Sequence, residues 1–248
     1  MVLEAAYTSP MTWLFAVLLA QGGPPLLTDD PGTPGDGRWE VNLALTVEKS
    51  RNARIFEAPL LDLNYGVGER IQLKAELPWL VGHENGGDTQ SALGRGLLGA
   101  KLRFLDQEPS GVDVSVYPQV EFGTSAHARR AGLADSDVTL LLPVEVGRDF
   151  GPLSVNVEAG YLGVEAGEDA WVWGVALGRQ VAESVELLGE IHGESEVGFH
   201  AGVIVWNLGA RIRLSELNTL LVSAGRGFRG ESRSEPELIA YLGLQFNF

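Results

Sequence analysis

Apolar residues recur at every second position in one segment of this chain after another, and that period constrains the fold more than any other feature. The clearest case is the last segment, Leu238 to Phe248. Leu238, Ala240, Leu242, Leu244, Phe246 and Phe248 alternate with Ile239, Tyr241, Gly243, Gln245 and Asn247. A period of two marks a strand with two unlike faces, here one apolar and one carrying amides and a phenol. Trp39 to Glu48 repeats the pattern with Val41, Leu43, Leu45 and Val47, and Arg70 to Val81 sets Ile71, Leu73, Leu77 and Trp79 against Gln72, Lys74 and Glu76. Ala58 to Tyr65, Leu98 to Phe104, Val112 to Phe122, Val138 to Val146, Leu153 to Tyr161, Trp171 to Leu177, Val185 to Glu194, Trp206 to Leu214 and Leu220 to Ala224 alternate in the same way. The count is about twelve, an even number as in bacterial single-chain barrels.

The totals narrow the possibilities. With 248 residues, the chain can form one large β domain or two small ones, and a composition 45% hydrophobic and 21% charged excludes a disordered chain. No apolar run approaches the roughly 20 residues that a membrane-spanning helix needs. A membrane location would therefore require a closed barrel, because only helices and barrels satisfy their backbone groups in lipid. A net charge of -15 argues against nucleic acid as a partner, and zero cysteines rule out disulfides and thiolate metal sites.

Alternation alone leaves the outer face undecided, since a soluble antiparallel sheet shows the same period with its apolar side inward. The connections discriminate. Taken alternately, some are long and polar (His83 to Arg95, Gly123 to Asp137, Gly227 to Pro236) and the others mostly short (Gly66 to Glu69, Arg148 to Gly151, Val181 to Ser184, Ser215 to Asn218). Outer-membrane barrels have this parity, with short periplasmic turns and longer outer loops. Trp39, Tyr65, Trp79, Phe104, Phe122, Phe150 and Trp171 near strand ends fit interfacial girdles. The expected fold is all-β: a closed antiparallel transmembrane β-barrel of about 12 strands over residues 39–248.

Thr12 to Ala20 has the length of a signal-peptide core, so residues 1–20 are expected to be a leader, with Met11 as an alternative start. No Lys or Arg occurs before Arg38, a departure from that pattern that leaves a buried or amphipathic helix as the alternative. Residues 21–38 form a proline- and glycine-rich lead-in, expected at the periplasmic mouth or tucked into the lumen. The ending on Phe248 resembles the closing strand of bacterial outer-membrane barrels, which implies recognition of that residue by the barrel-assembly machinery. The string Thr28-Asp29-Asp30-Pro31, followed by Thr33-Pro34-Gly35 and Trp39-Glu40-Val41-Asn42, resembles the start of the meta-pathway of phenol degradation family of outer-membrane proteins. That resemblance implies a barrel associated with aromatic compounds, and it carries no catalytic residues.

The expected lumen face holds Lys74, Glu76, Lys101, Arg103, Asp113, Glu121, Glu145, Glu158, Glu190, His192, Glu194, Arg211 and Arg213, together with Asp62 and Glu186. One reading is a ladder of cross-strand ion pairs; the other is a polar passage selective for charge, with the acid excess disfavouring anions. Glu190, His192 and Glu194 share a face, yet no serine motif accompanies them, and His83, His127 and His200 lack metal-ligand spacing. No cofactor, metal or catalytic residue is expected. The functional expectation is passive diffusion of a small, aromatic or hydrophobic solute through an outer-membrane channel. The alternatives are a closed structural or adhesion barrel acting through its outer loops and, behind it, a lipid hydrolase. Expected partners are outer-membrane lipids, the assembly machinery and the solute. The basic loop Ala126 to Arg130 is a further candidate for lipid phosphates.

Overall fold

The computed structural model describes residues 23–84, 87–198, 202–228 and 235–248. The expected leader and His200 lie outside them. Fourteen strand segments follow in order: β1 (Trp39–Lys49), β2 (Ala53–Val67), β3 (Ile71–Glu84), β4 (Thr89–Leu93), β5 (Gly96–Leu105), β6 (Asp113–Val116), β7 (Gln119–Phe122), β8 (Thr139–Phe150), β9 (Leu153–Val164), β10 (Ala170–Ala182), β11 (Val185–Glu196), β12 (Gly202–Arg213), β13 (Asn218–Gly227) and β14 (Leu238–Asn247). Two single-turn helices, α1 (Gln107–Ser110) and α2 (Ala126–Arg130), lie in connections. No helix among the described residues is long and apolar enough to cross a membrane.

The segments occupy twelve positions in one closed antiparallel wall. β4 and β5 both pair with β3 and form one wall strand broken at Gly94 and Arg95. β6 and β7 both bridge β5 and β8, broken at Tyr117 and Pro118. Proline brings no N–H to a ladder, which accounts for that break. Closure comes from β1 against β14, with Leu43 opposite Leu244. The Trp39 amide donates to the Phe248 carbonyl at 2.7 Å, and the Phe248 amide donates back to Trp39 at 3.0 Å. Closure leaves β4, which pairs with β3 alone, as the one described strand with an unpaired edge.

The wall is inside out relative to a water-soluble β-protein. Leu208 on the outer face is 61% exposed, while Lys101 and Glu145 on the inner face are 2% and 0% exposed. Leu43, Leu45, Leu73, Leu98, Leu142, Leu177 and Leu242 join Leu208 in an outward apolar belt. The aromatics gather near strand ends: Trp39 and Tyr65 lie 4.7 Å apart with their rings tilted by 44° at one rim, and Tyr161 meets Trp171 edge-on at 5.3 Å at the other.

Both described termini of the wall, Trp39 and Phe248, lie at the end with the short connections. Two details correct the sequence expectation. The stretch His83 to Arg95 is not all loop, because β4 extends the wall beside β3; and the β1–β2 connection at the long-loop end is short, residues 50–52.

Candidate functional site

The lead-in enters at the short-turn end and runs inside the barrel. Beside β1, the Gly37 amide donates to the Gly66 carbonyl at 3.1 Å, and Thr33 Oγ1 donates to the Glu69 carbonyl at 2.9 Å. Deeper in, the inner wall supplies acceptors for the lead-in's backbone. Glu158 accepts from the Asp29 amide at 2.8 Å, and Glu190 accepts from the Leu27 and Thr28 amides at 2.9 and 2.8 Å. Ser223 donates to the Pro25 carbonyl at 2.6 Å, and Arg211 donates to the Pro24 carbonyl at 3.1 Å. Leu27 packs among Val203, Val205 and Ile239, and Leu26 against Ala176 and Leu188. Four prolines, Pro24, Pro25, Pro31 and Pro34, prevent the segment from forming a strand of its own, so its polar backbone atoms are satisfied by side chains of the wall.

Charge ties the two together. Lys101 Nζ lies 3.1 Å from Asp29 and 3.2 Å from Glu145, donates to the Asp30 carbonyl, and stands 4.6 Å over the Tyr117 ring. On the neighbouring strand Lys74 lies 3.2 Å from Glu76 and 3.7 Å from Asp62, with Asn42 bridging to Asp62 at 3.0 Å. Arg211 also meets Glu186 at 3.4 Å. A cavity of about 240 Å³ remains between the lead-in and these groups, lined by Asp30, Asp62, Lys74, Lys101 and Arg211 among others. Buried charges of this density persist only when paired and hydrogen-bonded, and the lead-in supplies part of that pairing.

Inward glycines make room for the lead-in. A Cβ at Gly174 would sit 2.2 Å from Thr28 Oγ1, and one at Gly147 would sit 2.7 Å from Pro31 Cγ. Gly174→Val should therefore displace the lead-in at a cost of about 1–3 kcal/mol, the usual penalty for overpacking. Faster proteolysis between residues 23 and 38 in the folded barrel would show it; unchanged protection would contradict the seat described.

The other mouth is covered by residues 123–138. Leu133 drops onto the inner face at Gly82, where a Cβ would meet it at 2.3 Å. Arg95 pins the loop, pairing with Asp135 and, at 3.2 Å, with Glu121, while its other nitrogen reaches Thr139 Oγ1 at 3.2 Å. Burial pushes the Asp135 carboxyl above its ordinary 3.8, with Arg95 opposing. A carboxyl whose pKa is higher in the closed loop than in an open one takes up a proton on closing, so falling pH favours closure. Conductance of an unplugged barrel should fall as the outer solution is acidified from neutral toward 3.8, and the Asp135→Asn variant should lose much of that dependence.

Of the residues singled out in the sequence, Lys74, Glu76, Lys101, Glu145, Glu158, Glu190 and His192 are buried on the inner face, with Glu121, Glu194 and Arg211 half-buried there. Thr28, Asp29 and Pro31 are buried inside the barrel and Asp30 is half-buried beside them. Three candidates require correction. Arg103 and Asp113 lie at the short-turn rim, Arg103 donating to the Glu69 carbonyl and Asp113 accepting from the Gln107 amide at the start of α1. Arg213 is exposed and donates to the Glu183 carbonyl in the next turn. These positions share the inner parity, but the strands end there. The cross-strand neighbours of His192 are Gly174 and Val205, neither a nucleophile. No group of three or more His, Asp or Glu able to hold a metal occurs among the described residues. Sequence reasoning missed Arg95, which it placed in a loop, and the glycine notches. Glycines at inner-face parity were the available signal.

No protein-family model matches the sequence, and neither does any curated protein. Solved structures do match. An outer-membrane channel from Pseudomonas putida F1 superposes with a TM-score of 0.72 at 12% identity, over 88% of this chain and 98% of that one. KdgM porin gives 0.61 at 9% identity, over 84% and 99%, and NanC porin 0.59 at 9%, over 83% and 98%. At these identities the likeness is one of fold.

Proposed function

We propose that this chain is a channel of the bacterial outer membrane that passes small molecules by diffusion, with residues 23–38 occupying its passage. The observation that carries the reading is the inversion of the wall: an apolar belt outside and ion-paired charge inside, filled by a segment held through hydrogen bonds, ion pairs and the apolar contacts of Leu26 and Leu27. The fold shared with outer-membrane channels and porins supports it. The resemblance of the Thr28 to Asn42 string to the phenol degradation family points to an aromatic or otherwise hydrophobic solute, and the inner acid excess weighs against anions.

Coverage of both mouths favours one other reading, a closed structural or adhesion barrel. Planar bilayers separate the two. Purified full-length protein is expected to give discrete conductance steps, and liposomes containing it to swell in an uncharged aromatic solute faster than in an anionic one. A folded, heat-modifiable barrel that gives neither is the structural barrel.

A further inference from the structure

We infer that the long-loop rim of β1, β2 and β3 is a binding site for the phosphorylated headgroup of an outer-leaflet lipid. This rests on the outer-membrane reading. Antiparallel register places Lys49 directly opposite Arg54, and Arg54 directly opposite His83. Paired residues share a face, so the three form one row on the outside of the wall, with Lys49 and Arg54 exposed and His83 half-buried. Like charges set opposite each other destabilise a sheet. Glu237 answers one end of the row, 3.1 Å from Lys49, and Thr89 Oγ1 stands 3.3 Å from His83 Nδ1 at the other. Arg54, between Lys49 and His83, has no carboxylate opposite it on either ladder. Concentrating this charge in a chain of net charge -15 calls for an anion from outside.

The surface beneath the row identifies the anion. Two residues further into the wall, Val47 is opposite Phe56 and Phe56 opposite Val81, an apolar row directly below the basic one. Trp79, 43% exposed, continues it downward. Helix α2 packs against β4 beside this rim, with Ala128 buried and Arg129 and Arg130 exposed. Cations above an apolar strip match an amphiphile whose phosphate lies at the surface and whose acyl chains lie along the wall. A free phosphate would use the row without the strip.

Native mass spectrometry of the full-length protein in detergent tests this, with folding of each variant checked by heat-modifiable gel mobility. The probes are bisphosphorylated lipid A, the same acylated disaccharide without phosphates, and inorganic phosphate. The site predicts preferential retention of the phosphorylated lipid, falling about fivefold for each basic residue removed in Lys49→Gln and Arg54→Gln. The dephosphorylated lipid should bind both variants like the parent, and millimolar inorganic phosphate should not displace lipid A. Equal retention of the two lipids, a preference that survives in the double variant, or displacement by inorganic phosphate overturns the inference. Transfer of the whole effect to Arg129→Gln/Arg130→Gln does so too. A protein that shows no heat-modifiable barrel fails the outer-membrane reading itself, independently of the lipid result.

Discussion

A variant lacking residues 23–35 should conduct severalfold more than the full-length barrel in planar bilayers at neutral pH. The deletion spares Asp36, whose carboxylate accepts from the Gly68 amide at 2.8 Å, and it spares Trp39, whose backbone closes β1 onto β14. No wall ladder includes the deleted residues, so the barrel is expected to form and to keep its heat-modifiable mobility. What changes is the passage: the carbonyls of Pro24 and Pro25, the apolar wedge of Leu26 and Leu27 and the ion pair of Asp29 all leave it. The wall groups they satisfied, Glu158, Glu190, Arg211 and Ser223, become hydrated and line the path of the permeating ions. Equal conductance of the two proteins would mean that the lead-in does not limit the passage.

Lys101→Met should be the most damaging single substitution in the lumen. Its ammonium is 2% exposed as a side chain and serves Asp29, Glu145 and the Asp30 carbonyl together. Removing one partner of a buried ion pair leaves its counter-charges uncompensated, at a cost of about 3–5 kcal/mol. Two effects follow: the folded barrel should unfold at lower urea, and the lead-in, which gains its deepest charge contact from Lys101, should become protease-sensitive. Lys101→Arg keeps the charge and should recover most of the stability. A methionine variant with an unchanged unfolding midpoint and a protected lead-in would show that Lys101 does not hold the two parts together.

Much of the wall could be read from the chain because alternation is enforced by two incompatible solvents. Leu43, Leu73, Leu142, Leu208 and Leu242 repeat on one face for lipid, and Lys74, Lys101, Glu145 and Glu158 on the other for a polar interior. That signal is local and survives in a single sequence. The ends of the wall were less legible. Arg103, Asp113 and Arg213 keep inner parity past the point where the strand leaves the lumen, and parity carries no information on depth. Arg95 was hidden for a related reason: its neighbours lack a regular alternation, yet it sits in the break between β4 and β5, from where it pins residues 123–138. The path of the lead-in was open between mouth and lumen, because proline and glycine announce irregular backbone without saying where it goes. What directs it inward is non-local: Glu158 and Glu190 waiting for its amides, and Gly147 and Gly174 leaving space for Pro31 and Thr28.

The chain contains no cysteine, so a pair introduced at Thr28 and Gly174 would be unique. A Cβ at Gly174 stands 3.0 Å from Thr28 Cβ, near enough for a disulfide after a small shift. The most direct test of the plugged channel is single-channel conductance of Thr28→Cys/Gly174→Cys before and after reductant. Crosslinking should occur spontaneously in the folded barrel, with openings suppressed while the bond is intact and restored by reduction. Cysteines that remain open to alkylation in the folded protein, or openings identical in the two states, would contradict it.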